Sequence, residues 1–215
     1  MTQEMLVNAV VYGLGNSGIL FLVAIGISIG FGLMRIVNME QMIYYTLGAY
    51  FTYTVVTATG SFLLSLLVGT VVAAAFGFLV EIVLLRRVYG KELMFTMVVT
   101  FSVFLIGIGI VQFAWGLASK PVAAPIQLMI PILGAQIPLY RLLIFAISIV
   151  VYILINLFLN QTIFGKAIRA GIENPYQVQG LGINIRRIFT ITFLVASGLA
   201  GFGGVLNAPL VGVAP

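Results

Sequence analysis

The sequence predicts an all-α fold: a polytopic bundle of about six transmembrane helices with a short helix at its cytoplasmic face. Three observations predict it. Of the 215 residues, 62% are apolar and 7% charged, against about 45–50% and 25% in soluble domains. The ten Lys and Arg and five Glu fall in clumps separated by long uncharged stretches. Each of those stretches is long enough for one or two crossings of about 20 residues. A soluble fold of this size has too few polar groups to cover its surface, and a disordered chain has far fewer apolar residues. The whole chain, residues 1–215, is read as a single transmembrane domain.

The composition also excludes several chemistries. Cysteine and histidine are both absent, which removes thiolate metal sites, disulfides and the commonest proton shuttle. The acids are Glu4, Glu40, Glu81, Glu92 and Glu173. The net charge of +5 reads as cytoplasmic loops rather than a nucleic-acid surface.

Taking the stretches in order, Met5–Met34 holds one crossing near residues 6–32, because a helix needs about 20 apolar residues to span the membrane core. No basic segment precedes it and it is longer than a leader's apolar core, so it is read as a retained helix. The next stretch, Gln41–Val80, is too long for one crossing. Its midpoint, Thr57-Ala58-Thr59-Gly60-Ser61, is small and polar, and a turn there gives helices near 41–57 and 62–85. Leu93–Ser119 gives a crossing near 94–116, Leu142–Gly165 one near 140–160, and Ile188–Pro215 one near 188–208.

Orientation follows from short basic loops. Arg86, Arg87 and Lys91 crowd one; Lys166, Arg169, Arg186 and Arg187 crowd another. Two helices separate them, so both face the cytoplasm and Lys120–Pro138 lies outside. That segment holds Pro121, Pro125, Pro131 and Pro138, so it is expected as an ordered loop over the bundle rather than a helix. Gly26 and Gly30, and Ser197, Ala200, Gly201 and Gly204, are at the small-xxx-small spacing that lets helix backbones approach, here expected within the chain rather than between chains.

No phosphate-binding GxxxxGK[ST], HExxH or GxSxG motif occurs. Two other segments stand out. Gly30–Gln41 joins the first two helices and contains Arg35 and Glu40, the only charges between Met5 and Val80. It reads either as a discontinuous helix whose polar groups line a substrate path, or as an interfacial turn with its charges snorkelling to water. Phe164–Asn184 is a long loop. Asn174 as N-cap, Pro175 at the first helical position and Gly182 as a stop predict a short helix near 175–181, with Glu173 favourable to its dipole. That helix either ties the loop down or is a docking surface for another protein.

These segments carry a family resemblance. GKAIRAGIENPYQVQGLGIN followed by RRIFTITFLVASGLAGFGGVL resembles the permeases of branched-chain amino acid ABC importers, which read G-R-A-x-R-A-x-x-E-[DN]-x-x-x-A-x-x-x-G-I-N before a helix rich in G-A-L-A-G. Gly165, Ala167, Arg169, Ala170, Glu173, Asn174, Gly182, Ile183 and Asn184 match, with Lys166 for the usual Arg. GISIGFGLMRIVNMEQMIYYTLGAY is similar to the family's first segment, and Glu81, Arg86 and Arg87 to its E-R-x-x-x-R-P-x-R. The family's N-F-A-H-G is Asn38-Met39-Glu40-Gln41-Met42 here, so a carboxylate is gained and the His and Gly are replaced. Family members also continue for about two more helices.

The resemblance implies a non-catalytic membrane subunit of an importer in a bacterial or archaeal cytoplasmic membrane. Its partners would be a second, similar permease, two ATPase subunits that hold the ATP and magnesium, and an external substrate-binding protein; the chain itself would carry no cofactor. Arg35, Asn38 and Glu40 are then expected beside the substrate path, with Arg35 a possible partner for Glu40. Gly165, Arg169, Glu173, Asn174, Pro175, Tyr176, Leu181 and Gly182 are expected at the ATPase contact. The competing reading is a stand-alone secondary transporter or channel for a small polar solute.

Overall fold

The structure, a computed structural model, describes residues 3–34, 37–132, 135–173, 180 and 184–215. Among them are seven α-helices: α1 (Gln3–Met34), α2 (Gln41–Thr59), α3 (Phe62–Val83), α4 (Leu93–Trp115), α5 (Leu139–Gln161), α6 (Ile163–Glu173) and α7 (Ile185–Val211). The all-α expectation holds. Five of them, α1, α3, α4, α5 and α7, are long and apolar enough to cross a membrane. Their outward faces are apolar, with Ile106, Ile110 and Phe113 on α4 and Ile149, Ile153 and Leu154 on α5 exposed.

The α2–α3 turn forms where the small polar run predicts it. Gly60 closes α2 at φ 69°, a left-handed conformation that glycine adopts without a Cβ penalty. Ser61 then opens α3, its hydroxyl accepting from Leu64 N at 3.2 Å. Asn184 opens α7 in the same way, its side-chain oxygen accepting from Arg186 N and Arg187 N.

The count of six full crossings does not hold for α2. Gln41, its first residue, hydrogen-bonds Ala196 near the middle of α7, while Thr54 meets Trp115 at the end of α4. So α2 starts inside the bundle and runs to one end only. It is rich in Tyr and Thr and is not among the helices apolar enough to span alone.

The core is built on α7, which packs against α1, α2 and α3. Glycines make this possible. Gly48 of α2 lies directly on the backbone of Gly201, and Gly204 lies on the Tyr45 carbonyl. A Cβ at Gly48 or Gly204 would overlap main chain and one at Gly201 would overlap the Ala73 Cβ, and close backbone approach is what small residues provide where no hydrophobic force drives association. The small-residue stripes of both α1 and α7 are therefore used within the chain: a Cβ at Gly26 would sit 2.8 Å from Ala196 O. Tyr44 stacks edge-on against Phe76 of α3 and Phe193 of α7.

Both basic loops lie at the same end of the bundle. Arg86 bonds Thr190 at 2.8 Å, and the Tyr89 and Phe189 rings meet edge-on at 5.0 Å. The opposite end holds the proline-rich segment. It is ordered and not helical, as expected, but it contains a hairpin that the sequence reading did not specify. β1 (Met129–Ile132) pairs antiparallel with β2 (Ala135–Pro138). Ala135 and Ile137 of β2 are buried against Val11 of α1, so the hairpin rests on the bundle. Lys120 and Val213 form a separate antiparallel bridge that ties this segment to the end of α7.

The long loop after α5 also differs from expectation. Its first half is α6. Thr162 opens it, accepting from Gly165 N at 3.0 Å, and Ala167 and Ile168 are buried against Ile185 and Ile188 of α7. Glu173 is the last residue of α6 and not the start of the next helix. The short helix expected near 175–181 lies outside the described residues.

Candidate functional site

The break between α1 and α2 places polar groups in the middle of the bundle. Asn38 is 4% exposed, and Glu40 and Gln41 are 0% exposed. A surface turn with snorkelling charges would leave these groups in water, so Asn38–Gln41 is a helix break buried in protein and not a surface turn. Arg35 lies outside the described residues.

A directed chain of hydrogen bonds holds the break. Asn38 Nδ2 donates to Gln41 Oε1 at 3.3 Å, and Gln41 Nε2 donates to the Ala196 carbonyl at 2.8 Å. Thr100 of α4 donates to the Val37 carbonyl at 2.9 Å. Thus α4 and α7 clamp the segment from two sides. Gln41, Thr100 and Ala196 are neighbours of the break that sequence reasoning missed. Gln41 stands where the resembling family has His, which was its one visible signal.

That chain of bonds leaves over several buried polar atoms at the break. Both carboxyl oxygens of Glu40 and Oδ1 of Asn38 are buried with no hydrogen-bond partner. All three are acceptors. Glu40 is the N-cap residue of α2 but makes no side-chain cap bond. The positive end of the α2 dipole favours an anion there. The dipole does not replace a donor, and an unpaired buried charge is costly.

A second polar cluster sits at the basic end. Glu81 of α3 is fully buried and accepts three hydrogen bonds, one from each of three side chains. Arg86 Nε donates to Oε1 at 3.1 Å, the Tyr89 hydroxyl donates to Oε1 at 3.0 Å, and the Thr190 hydroxyl donates to Oε2 at 3.1 Å. Arg86 closes the fourth side by donating to Thr190. Burial, and then the Glu81 carboxylate beside it, pushes the Tyr89 phenol well above its ordinary value, so Tyr89 stays a donor. The cluster joins the loop after α3 to α7. Arg87, quoted with Arg86 in the resemblance, is exposed.

The remaining expected residues are spread along α6. Gly165 is buried where α6 folds back on α5, and a Cβ there would overlap the Phe158 carbonyl and the Leu159 backbone. Arg169 is exposed and donates to Asn160 Oδ1 at 2.6 Å. Glu173 is exposed at the end of α6. Asn174, Pro175, Tyr176, Leu181 and Gly182 lie outside the described residues.

Comparison with known proteins decides the family. Residues 9–215 match the family described as branched-chain amino acid transport system, permease component. The chain belongs to this permease family. It is 25% identical over 212 residues to the high-affinity branched-chain amino acid transport system permease protein BraD of Pseudomonas aeruginosa, covering 89% of this chain and 67% of the relative. It is 25% identical over 208 residues to LivH of Escherichia coli K12, with the same coverage. A probable LivH of the archaeon Methanocaldococcus jannaschii is 27% identical over 213 residues, covering 95% of this chain and 65% of the relative. The chain therefore spans about two thirds of the length of these relatives. No solved structure matches it. The permease is a multi-pass protein of the cytoplasmic membrane, as family and apolar helices together require.

Proposed function

We propose that this permease is the membrane-spanning, non-catalytic subunit of an ATP-driven importer for branched-chain or related amino acids. The observation that carries the reading is the family match over nearly the whole chain, joined to a polar helix break buried in the bundle. A solute crossing the membrane needs polar groups at depth, and irregular backbone at that depth is tolerated where it lines a path or is buried in protein. Asn38 and Glu40 line that path.

ATP binding and hydrolysis belong to two cytoplasmic partner subunits, which also hold the magnesium. An external binding protein delivers the solute, and a second, similar permease completes the path. The segment from α6 to the start of α7, residues 163–187, is the docking surface for the ATPase. A push on α6 reaches α7 through Ile168, Ile185 and Ile188, and α7 reaches the break through Ala196 and Gln41.

The test is uptake of labelled leucine, isoleucine or valine into proteoliposomes, using the permease with the subunits that co-purify with it from its own membrane. Uptake that requires ATP and the binding protein, and that falls in Asn38→Ala, supports the reading. Uptake by the permease alone, indifferent to ATP, overturns it in favour of a stand-alone carrier.

A further inference from the structure

We propose that the break between α1 and α2 is a cation-accepting site, in which Glu40 and the Asn38 side-chain oxygen receive the ammonium or amidinium group of the solute. It rests on the permease reading only in treating the break as part of the transport path.

Three facts lead to it. First, the unpartnered atoms at the break include three acceptors, the two Glu40 carboxyl oxygens and Asn38 Oδ1, against one buried unpartnered donor nearby, the Tyr44 hydroxyl one turn along α2. The matching ligand group is a multiple N–H donor bearing positive charge, because such a group satisfies several acceptors and the carboxylate together. Second, the direction of the hydrogen bonds is fixed by geometry. Asn38 gives its NH₂ to Gln41, and Gln41 gives its NH₂ to Ala196. Turning the Asn38 amide over would set its oxygen against the Gln41 oxygen, so its acceptor stays free. Third, no described cation neutralises Glu40. The salt bridge among the described residues is Arg86 with Glu81. Arg87, Lys91, Lys166, Arg169, Arg186 and Arg187 are at the basic end with it, and Lys120 and Arg141 are at the hairpin end. A carboxylate at the α2 N-terminus, on a segment that Thr100 holds at Val37 and Gln41 holds at Asn38, is thus left with an incomplete shell that an ammonium group completes.

Arg35 is the rival occupant, since it is near in sequence and carries an amidinium-like head. The experiment separates the two. The chain has no cysteine, so Met39→Cys, beside Glu40 and 41% exposed, is a clean probe of the local potential. The full permease in native membranes is labelled with a trimethylammonium-ethyl thiosulfonate and, separately, with a sulfonatoethyl thiosulfonate. Rates are divided by those on a free thiol. We expect the cationic reagent to react roughly tenfold or more faster, as a nearby unneutralised charge requires. In the Glu40→Gln background the ratio falls to about one; Glu40→Asp, which keeps the charge, retains the preference and controls for folding. Methylammonium chloride slows the labelling more than sodium chloride at equal ionic strength.

Equal rates for the two reagents would mean that Arg35 or a proton already neutralises Glu40, and would overturn the proposal. Equal slowing by sodium would overturn the ammonium assignment. Failure of both reagents to label would mean that no aqueous path reaches Glu40, which also overturns it. These rates need neither ATPase nor binding protein. The cation site can therefore fail while ATP-driven uptake stands, and the reverse.

Discussion

Gln41 Nε2 donates to the Ala196 carbonyl at 2.8 Å across 155 residues of sequence. This bond fixes the height at which α2 begins, because Ala196 lies near the middle of α7. It also accepts the consequence of a broken helix: the first turn of α2 stands inside the bundle with its polar side chains turned to protein.

The first prediction concerns that bond. Gln41→Leu keeps the volume but leaves the Asn38 NH₂ without its acceptor. An unsatisfied buried donor costs about 1–3 kcal/mol. For a chain of this size that lowers the melting temperature by about 2–4 °C per kcal/mol. Thermal unfolding in detergent measures it. An unchanged melting temperature would show that the α2 start is held by the glycine contacts alone.

The second prediction separates packing glycines from incidental ones. Gly201→Leu and Gly204→Val place side chains on the Ala73 Cβ and on the Tyr45 carbonyl of neighbouring helices, neither of which can move aside by rotating. Each should cost more than about 3 kcal/mol, beyond ordinary overpacking, and yield aggregated or degraded protein on size exclusion. Gly13→Ala and Gly109→Ala meet nothing within 4 Å. They should be neutral or gain roughly 0.5–1 kcal/mol from helix propensity. Equal behaviour of the two sets would contradict the packing described.

The third prediction addresses the Glu81 cluster. Arg86→Ala removes the one cation but leaves Tyr89 and Thr190 donating to the carboxylate. The Arg86 side chain is 36% exposed, so solvent screens part of its attraction. The loss should be about 1–3 kcal/mol, less than the 3–5 of a fully buried pair. Glu81→Gln in the Arg86→Ala background should recover part of it, since no charge then stays buried. A double-mutant cycle on thermal stability reads the coupling; additive effects would mean that Arg86 and Glu81 do not interact.

These predictions rest on features that the sequence showed unequally. The charge-free stretches set α4 at 93–115 and α5 at 139–161 against expectations of 94–116 and 140–160, because bilayer crossing is a one-dimensional constraint on apolar length. The depth of α2 was not legible. It depends on Gln41 meeting Ala196 and Gly48 meeting Gly201, contacts made by residues far away in the chain. α6 had a readable signal in Thr162 and the buried pair Ala167 and Ile168, but Gly165, Gly171 and the charges of Lys166 and Arg169 made the run look like a loop. The hairpin was hidden for a different reason. Four prolines exclude a helix between Lys120 and Pro138, yet they do not select a strand pair, which here is set by Ala135 and Ile137 finding Val11. At the candidate site the sequence offered Asn38 and Glu40 and left open whether they were in water. Only the packing of α4 and α7 around them decides that.

The fourth prediction concerns sidedness. Both basic loops share one end, with seven of the ten Lys and Arg there, so that end faces the cytoplasm. Single cysteines at Ala123, which is exposed near the hairpin, and at Ile163, which is 83% exposed, report on the two ends. An impermeant maleimide should label the first in intact cells and the second only after permeabilisation. The reverse pattern would invert the permease.

The fifth prediction tests how α6 passes force to the helix break. Ile168 is 2% exposed and sits with Ile185 and Ile188, so Ile168→Ala removes the apolar bearing between α6 and α7 at a cost of about 2–5 kcal/mol. Arg169 faces outward and bonds only Asn160 among the described residues, so Arg169→Ala spares the bearing. If the 163–187 segment is the ATPase contact, the two variants fail differently. Arg169→Ala loses ATPase association, read by co-purification, while the permease keeps its melting temperature. Ile168→Ala keeps part of the association but uncouples it: ATP hydrolysis continues and uptake falls, because motion of α6 no longer reaches Ala196 through α7. Glu173→Lys, at the exposed end of α6, should behave as Arg169→Ala does. Normal association and normal uptake in all three would remove the segment from the coupling route and leave α6 as a structural brace.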